Sequence, residues 1–274
     1  MQKLKVLITV KTYPIPSAKY DELVCTAGVT ESGDFIRLYP IRFRDLPYSQ
    51  QYKKYQWVEV LAEKHTGRDV RKESFRPNED SLKILGEPIG TQRGWAERAK
   101  YTLAKRAKSM EELYDQQKAD RTSLGVIRPK RFLDIDISAD DSEWKPQFLV
   151  ALRQQRLWDD RTATQEPPRK VPWKFHYSFT CDDPRCNGNH RMMIEDWELG
   201  ALYWRCIDNG DSPENAALKV KKKFFHEMCA DTRDTHLFVG TVLEHGTWVV
   251  IGVFWPPKDH SSATGATLFN SPGS

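Results

Sequence analysis

The chain has 274 residues, 39% of them hydrophobic and 29% charged, with a formal net charge of +4. That length fills one large domain or two ordinary ones without covalent staples, and the composition excludes a disordered or fibrous chain. No window approaches the roughly 18 apolar residues of a membrane helix, and the first ten residues are too short for a secretory signal. The expectation is therefore a cytoplasmic protein without a membrane partner.

The N-terminal part reads as closely spaced strands at 4–10, 22–30, 35–40 and 57–63. Each is rich in β-branched or aromatic residues, and turn formers such as Tyr13-Pro14 and Ser32-Gly33-Asp34 bound them. Short strands joined by tight turns favour a small antiparallel barrel or curled sheet, for which the oligonucleotide-binding barrel is one candidate. Lys11, Arg37, Tyr39, Arg42 and Arg44 fall on or beside these strands. Cations that hold phosphates beside a ring that stacks a base form a nucleic-acid surface. The bland alternative is that Tyr39 is core and the arginines are merely solvated.

Over 92–117 the period changes to three or four, with Trp95, Ala99, Leu103, Ala107, Met110 and Tyr114 on one stripe, which predicts a single long amphipathic helix. Arg98, Lys105 and Lys108 would share another of its faces. With Arg128, Lys130 and Arg131 they make this the basic segment of the chain, a second candidate for backbone phosphates. The stretch 132–137 alternates as a strand and puts Asp134 and Asp136 on one side, roughly 6–7 Å apart. Such a pair can hold Mg²⁺ in a nuclease, or can be an ordinary solvent face. A helix is expected over 145–158, and the proline-bearing stretch 162–172 is the expected linker.

A strand is expected at 173–180, followed by the clearest chemical signal in the chain. Cys181, Cys186 and His190 lie in one tight loop whose turns come from Asp183-Pro184 and Asn187-Gly188-Asn189. Thiolate and imidazole are preferred zinc ligands, and Cys206 is taken as the fourth, with Cys229, His226 and His176 as substitutes. Four protein ligands make a zinc site structural, whereas a catalytic site keeps a position open. Free cysteines otherwise serve as small core hydrophobes. Glu195, Asp196 and Glu198 read as first-turn acids of a helix over 193–208. Ser212-Pro213-Glu214 starts a helix running to about residue 229, and two strongly β-type runs at 236–243 and 248–255 form a closing hairpin.

These expectations describe a mixed α+β protein in three parts. Residues 1–161 form a β-rich module with a basic helix, 162–258 a zinc-containing α+β module, and 259–274 a disordered tail. The chain carries no phosphate loop, dinucleotide fingerprint or serine elbow. The leading functional expectation is a zinc-stabilised nucleic-acid-binding protein, DNA or RNA, that binds rather than catalyses. The alternatives are a metal-dependent hydrolase acting on a nucleotide or nucleic acid, using Asp134 and Asp136 or the carboxylates near the zinc, and an interaction subunit whose aromatics face a protein partner.

Overall fold

The structure is a computed structural model and describes residues 1–17, 21–67, 69–147, 149–150, 166–243 and 245–258. The helix expected over 145–158 falls mostly, and the tail at 259–274 wholly, outside these residues.

The N-terminal strands are β1 (Gln2–Lys11), β2 (Ile15–Ser17), β3 (Asp21–Val29), β4 (Phe35–Ile41), β5 (Trp57–Lys64), β6 (Ser74–Pro77) and β7 (Lys83–Leu85). Five of them close on themselves in the order β1-β3-β4-β6-β5, and β5 returns to β1 through pairs from Gln2–Ala62 to Leu7–Trp57. The expected small barrel is therefore present. All of its pairings are antiparallel except β4–β6. At the β1–β3 crossing a Cβ on Gly28 would sit 2.2 Å from the Leu7 carbonyl oxygen, so only glycine allows so close an approach. Val6, Ile8, Leu38, Val58 and Val60 fill the interior.

The remaining elements are α1 (Gln92–Thr102), α2 (Met110–Asp120), β8 (Leu124–Ile127), β9 (Arg131–Ala139), β10 (Trp173–Thr180), β11 (His190–Met193), α3 (Trp197–Asp208), α4 (Pro213–Lys221), β12 (His236–Thr241) and β13 (Trp248–Phe254). They build two three-stranded sheets, β11-β10-β9 and β13-β12-β8. Every residue of β12 and β13 is buried. One face of that sheet packs on the barrel, where Val10, Ala27 and Tyr55 join Leu124, Val126, Phe238, Val249 and Ile251 in one cluster.

Three expectations change. The helix expected over 92–117 is two helices. The Ala107 N–H donates to the Val126 carbonyl at 2.9 Å, which lays the connection against β8, and Ser109 restarts the helix by accepting the Glu112 N–H. Arg98, Lys105 and Lys108 therefore do not share a face. The helix expected from residue 193 starts at Trp197, because 190–193 pairs with β10 as β11. The division expected at 161/162 runs between two strands of one sheet, since β9 and β10 pair from Trp173–Ala139 to Thr180–Arg131.

Candidate nucleic-acid interface and metal centre

Four of the expected contact residues converge. Lys108, Arg128, Lys130 and Arg131 line a groove of about 830 Å³ between the α1–α2 connection, the β8–β9 turn and the segment before β12. Arg106, Arg233 and Lys258 join them, and Asp182 and Asp231 are the acids on its walls. This surplus of cations gives the groove the field that a polyanion requires. Arg128 pairs with Asp234 at 2.7 Å and Lys130 with Asp182 at 3.0 Å, yet both side chains remain more than half exposed. Arg106 is anchored from below: buried His236 gives its Nδ1 proton to the Asp234 carbonyl and accepts from Arg106 through Nε2 at 3.2 Å. Burial lowers the pKa of His236, which favours the neutral ring this arrangement needs.

The other expected contacts do other work. Arg37, expected on a wet face, is 2% exposed and donates to Ser123 Oγ at 2.6 Å, the Ser123 carbonyl at 3.0 Å and Ser74 Oγ at 3.3 Å. Barrel closure against β8 turns it inward. Lys11 points at rings, with Nζ 4.0 Å from the Phe43 ring centre and 5.1 Å from that of Trp197. Arg42 binds Glu79, Arg44 donates to the Glu166 carbonyl at 3.0 Å, and Lys105 pairs with Asp34. Tyr39 is half-buried, and its carbonyl lies 3.3 Å from His65 Nε2. Arg98 lies over Tyr55 and Trp95, away from the groove.

Asp134 and Asp136 do not face a shared metal position. Asp134 pairs with Lys221 at 2.7 Å, while Asp136 takes Arg191 at 3.1 Å and Ser178 Oγ at 3.1 Å, each as an ordinary surface carboxylate.

Among the described residues one cluster could hold a metal ion. Ligand atoms of Glu111, Cys181 and His190, all buried, lie within 4.8 Å of one another. His190 Nε2 is 3.0 Å from Glu111 Oε1 and 3.4 Å from Cys186 Sγ, so the expected loop closes around one point. Its sulfurs accept backbone N–H groups, Met110 to Cys181 at 3.4 Å and Cys181 to Cys186 at 3.3 Å. One further feature fits a cation at the centre. Glu111 Oε2 is buried without a hydrogen-bond partner. Burial by itself pushes the Cys181 thiol up to about 12 and so favours its neutral form. A metal ion would supply the contact Glu111 lacks, and its binding would have to displace the Cys181 proton.

Cys206 is not in this cluster. It is buried near the end of α3, where its carbonyl accepts the Asp211 N–H. The residue that joins Cys181 and His190 in the cluster is Glu111 from the first turn of α2, which no spacing rule in the sequence connects with a loop seventy residues on. Cys229 contacts the Phe224 carbonyl through its sulfur at 3.3 Å, and His226 lines the groove. No described helix is long and apolar enough to cross a membrane.

Barrel, paired sheets and cation-lined groove define a mixed α+β protein with a surface suited to an extended anion. The chain belongs to the family described as a domain of unknown function (DUF8757), whose model matches residues 105–272, and residues 2–104 match that of a second domain of unknown function (DUF8758). No curated protein matches the sequence. Among solved structures it is similar to a murine DNA-binding protein bound to double-stranded DNA, at 11% identity over 93% of this chain and 95% of that one. The TM-score is 0.32, too low to define a shared fold.

Proposed function

We propose that the protein binds nucleic acid through the groove of Arg106, Lys108, Arg128, Lys130, Arg131 and Arg233, and that zinc held by Glu111, Cys181, Cys186 and His190 braces one wall. One observation supports both parts of this reading: the candidate metal loop and the groove are contiguous. The Lys130 N–H donates to the Thr180 carbonyl at 2.8 Å, and its side chain pairs with Asp182, between Thr180 and the rest of the ligand loop. Across the groove Lys108 precedes Ser109, whose hydroxyl donates to Asp183 at 2.8 Å. Two thiolates, an imidazole and a carboxylate would fill all four positions of a tetrahedral zinc site with protein ligands, and a site with no position open for water is structural.

The test is a fluorescence-anisotropy titration of the full chain with single- and double-stranded DNA and RNA at several salt concentrations. If the groove neutralises roughly four phosphates, log K falls with log salt at a slope near −3 to −4. Lys130→Glu with Arg131→Glu should weaken binding by about tenfold or more and flatten that slope. Binding that ignores both salt and the double variant would reject the groove, and a shortened oligonucleotide on a gel would show a hydrolase.

A further inference from the structure

The cation-lined groove has two zones. Lys108, Arg128, Lys130, Arg131 and Lys258 are exposed, whereas Phe132, Phe225, Cys229 and Ala230 are half-buried, so an apolar floor lies beneath a cationic rim. Arg128 and Lys130 have acidic partners, but among the described residues none of Lys108, Arg131, Arg233 and Lys258 forms an ion pair. Arg233 instead lies 4.8 Å from the Trp255 ring centre. An anion is what this rim lacks.

An irregularity in a helix builds the floor. After α4 the segment Lys222–Glu227 widens into a π-helical turn, in which the Met228 N–H donates to the Lys223 carbonyl, five residues back, at 3.1 Å. Buried Tyr177 donates its hydroxyl to the Phe224 carbonyl at 2.6 Å and pins the turn from below. Phe224 enters the core, while half-buried Phe225 and exposed His226 reach the groove. The Phe132 ring sits on the same support, 5.6 Å from that of Tyr177. Such wide turns are rare and occur mostly at functional sites.

The two zones fit one form of polynucleotide. A duplex turns its phosphates outward and its base faces onto each other, and proteins read it with an element that protrudes into one of its grooves. On this hollow surface it would meet the rim and leave the floor in water. An unpaired strand offers phosphates and base faces together, and a cationic groove with rings inside is how proteins hold one. We propose that the groove holds a single unpaired strand, its phosphates on Lys108, Arg131, Arg233 and Lys258 and its bases against Phe132, Phe225 and His226. The inference rests on the groove reading above and narrows it to single strands.

The experiment measures anisotropy of the full chain with labelled probes of equal length: a thymidine and a uridine strand, an abasic counterpart of each that keeps the phosphates without the bases, and a paired duplex. The better of the two strands should bind about tenfold tighter than its abasic counterpart, the size of one base against a ring, and tighter than the duplex by a similar factor. His226→Ala, at an exposed position that does not threaten the fold, should at least halve the ratio of strand to abasic affinity. Combined with Phe225→Leu, which keeps most of the apolar volume, it should bring that ratio to about one. A duplex that binds as tightly as the strands, with the salt dependence expected of phosphates, overturns the inference and leaves the groove reading in place. An abasic strand that binds as well as its parent overturns it too, as does a ratio that survives both variants. Failure of every probe to bind rejects the inference and the groove together.

Discussion

Lys11 brings an ammonium into a box of rings formed by Phe43, Tyr52 and Trp197, and burial, with Lys54 nearby, lowers its pKa to about 8. The cation–π contacts and the Tyr52 carbonyl at 3.3 Å compensate only part of the lost hydration. The sign of the linkage follows. Between pH 8 and the ordinary lysine value near 10.4 the unfolded chain holds a proton that the folded chain has released, so stability rises with pH across that window. Below pH 8 the cost of the buried charge is fully present. Lys11→Met should therefore stabilise the protein by roughly 1–3 kcal/mol at pH 7, with the gain shrinking toward zero near pH 10. Urea unfolding at the two pH values measures this, and an equal gain at both would show that Lys11 is not desolvated. A lysine at the end of a strand reads in sequence as a phosphate contact. Which face of the strand is wet depends on how the barrel closes, and alternation within β1 cannot express that.

At the scale of elements, the positions of most strands and helices could be read from local patterning because they have local causes. Strand β10 appears at the expected residues 173–180, and Ser212 caps α4 by accepting the Asn215 N–H as the Ser-Pro-Glu signature requires. The break between α1 and α2 was not legible. Its apolar stripe is continuous through residue 114, and what interrupts it is a tertiary hydrogen bond to β8. The same break carries the correction at the metal centre, because it starts a new helix at Met110 and brings Glu111 into the first turn beside His190. Spacing within one loop pointed to Cys181, Cys186 and His190 as candidate ligands, whereas the place of Glu111 beside Cys181 and His190 depends on packing. Metal analysis of purified protein should find about one zinc per chain, as expected for one closed site. Cys181→Ser and Glu111→Ala should lower that content and lower the melting temperature, while Cys206→Ala should retain the metal. Retention in Glu111→Ala together with loss in Cys206→Ala would restore the ligand set expected from spacing alone.

For the whole molecule, the barrel and the paired sheets are joined by buried polar groups as well as by apolar contact. Glu73, on the barrel side, accepts the N–H and hydroxyl of Ser123 beside β8, and Arg37 from β4 donates to the same serine. Arg71 reaches the Thr241 carbonyl at 2.8 Å, and Lys54 meets Asp196 at 3.5 Å, at the start of α3. Groups of this kind are costly to expose singly, because separating the halves without unfolding them would leave charges buried or newly hydrated at a torn apolar face. The two family segments should accordingly unfold together, in a single calorimetric transition whose calorimetric and van't Hoff enthalpies agree. Arg37→Met removes the cation from this junction while keeping much of its volume, and leaves Ser123 and Glu73 without it. A loss of about 3 kcal/mol is expected, lowering the single transition by roughly 6–10 °C without splitting it. The salt dependence of nucleic-acid binding should be unchanged in that variant, since Arg37 has no access to solvent through which to meet a phosphate. Two resolved transitions in the wild-type protein would mean that the junction is too weak to couple the halves, and an altered salt slope in Arg37→Met would return this arginine to the contact surface.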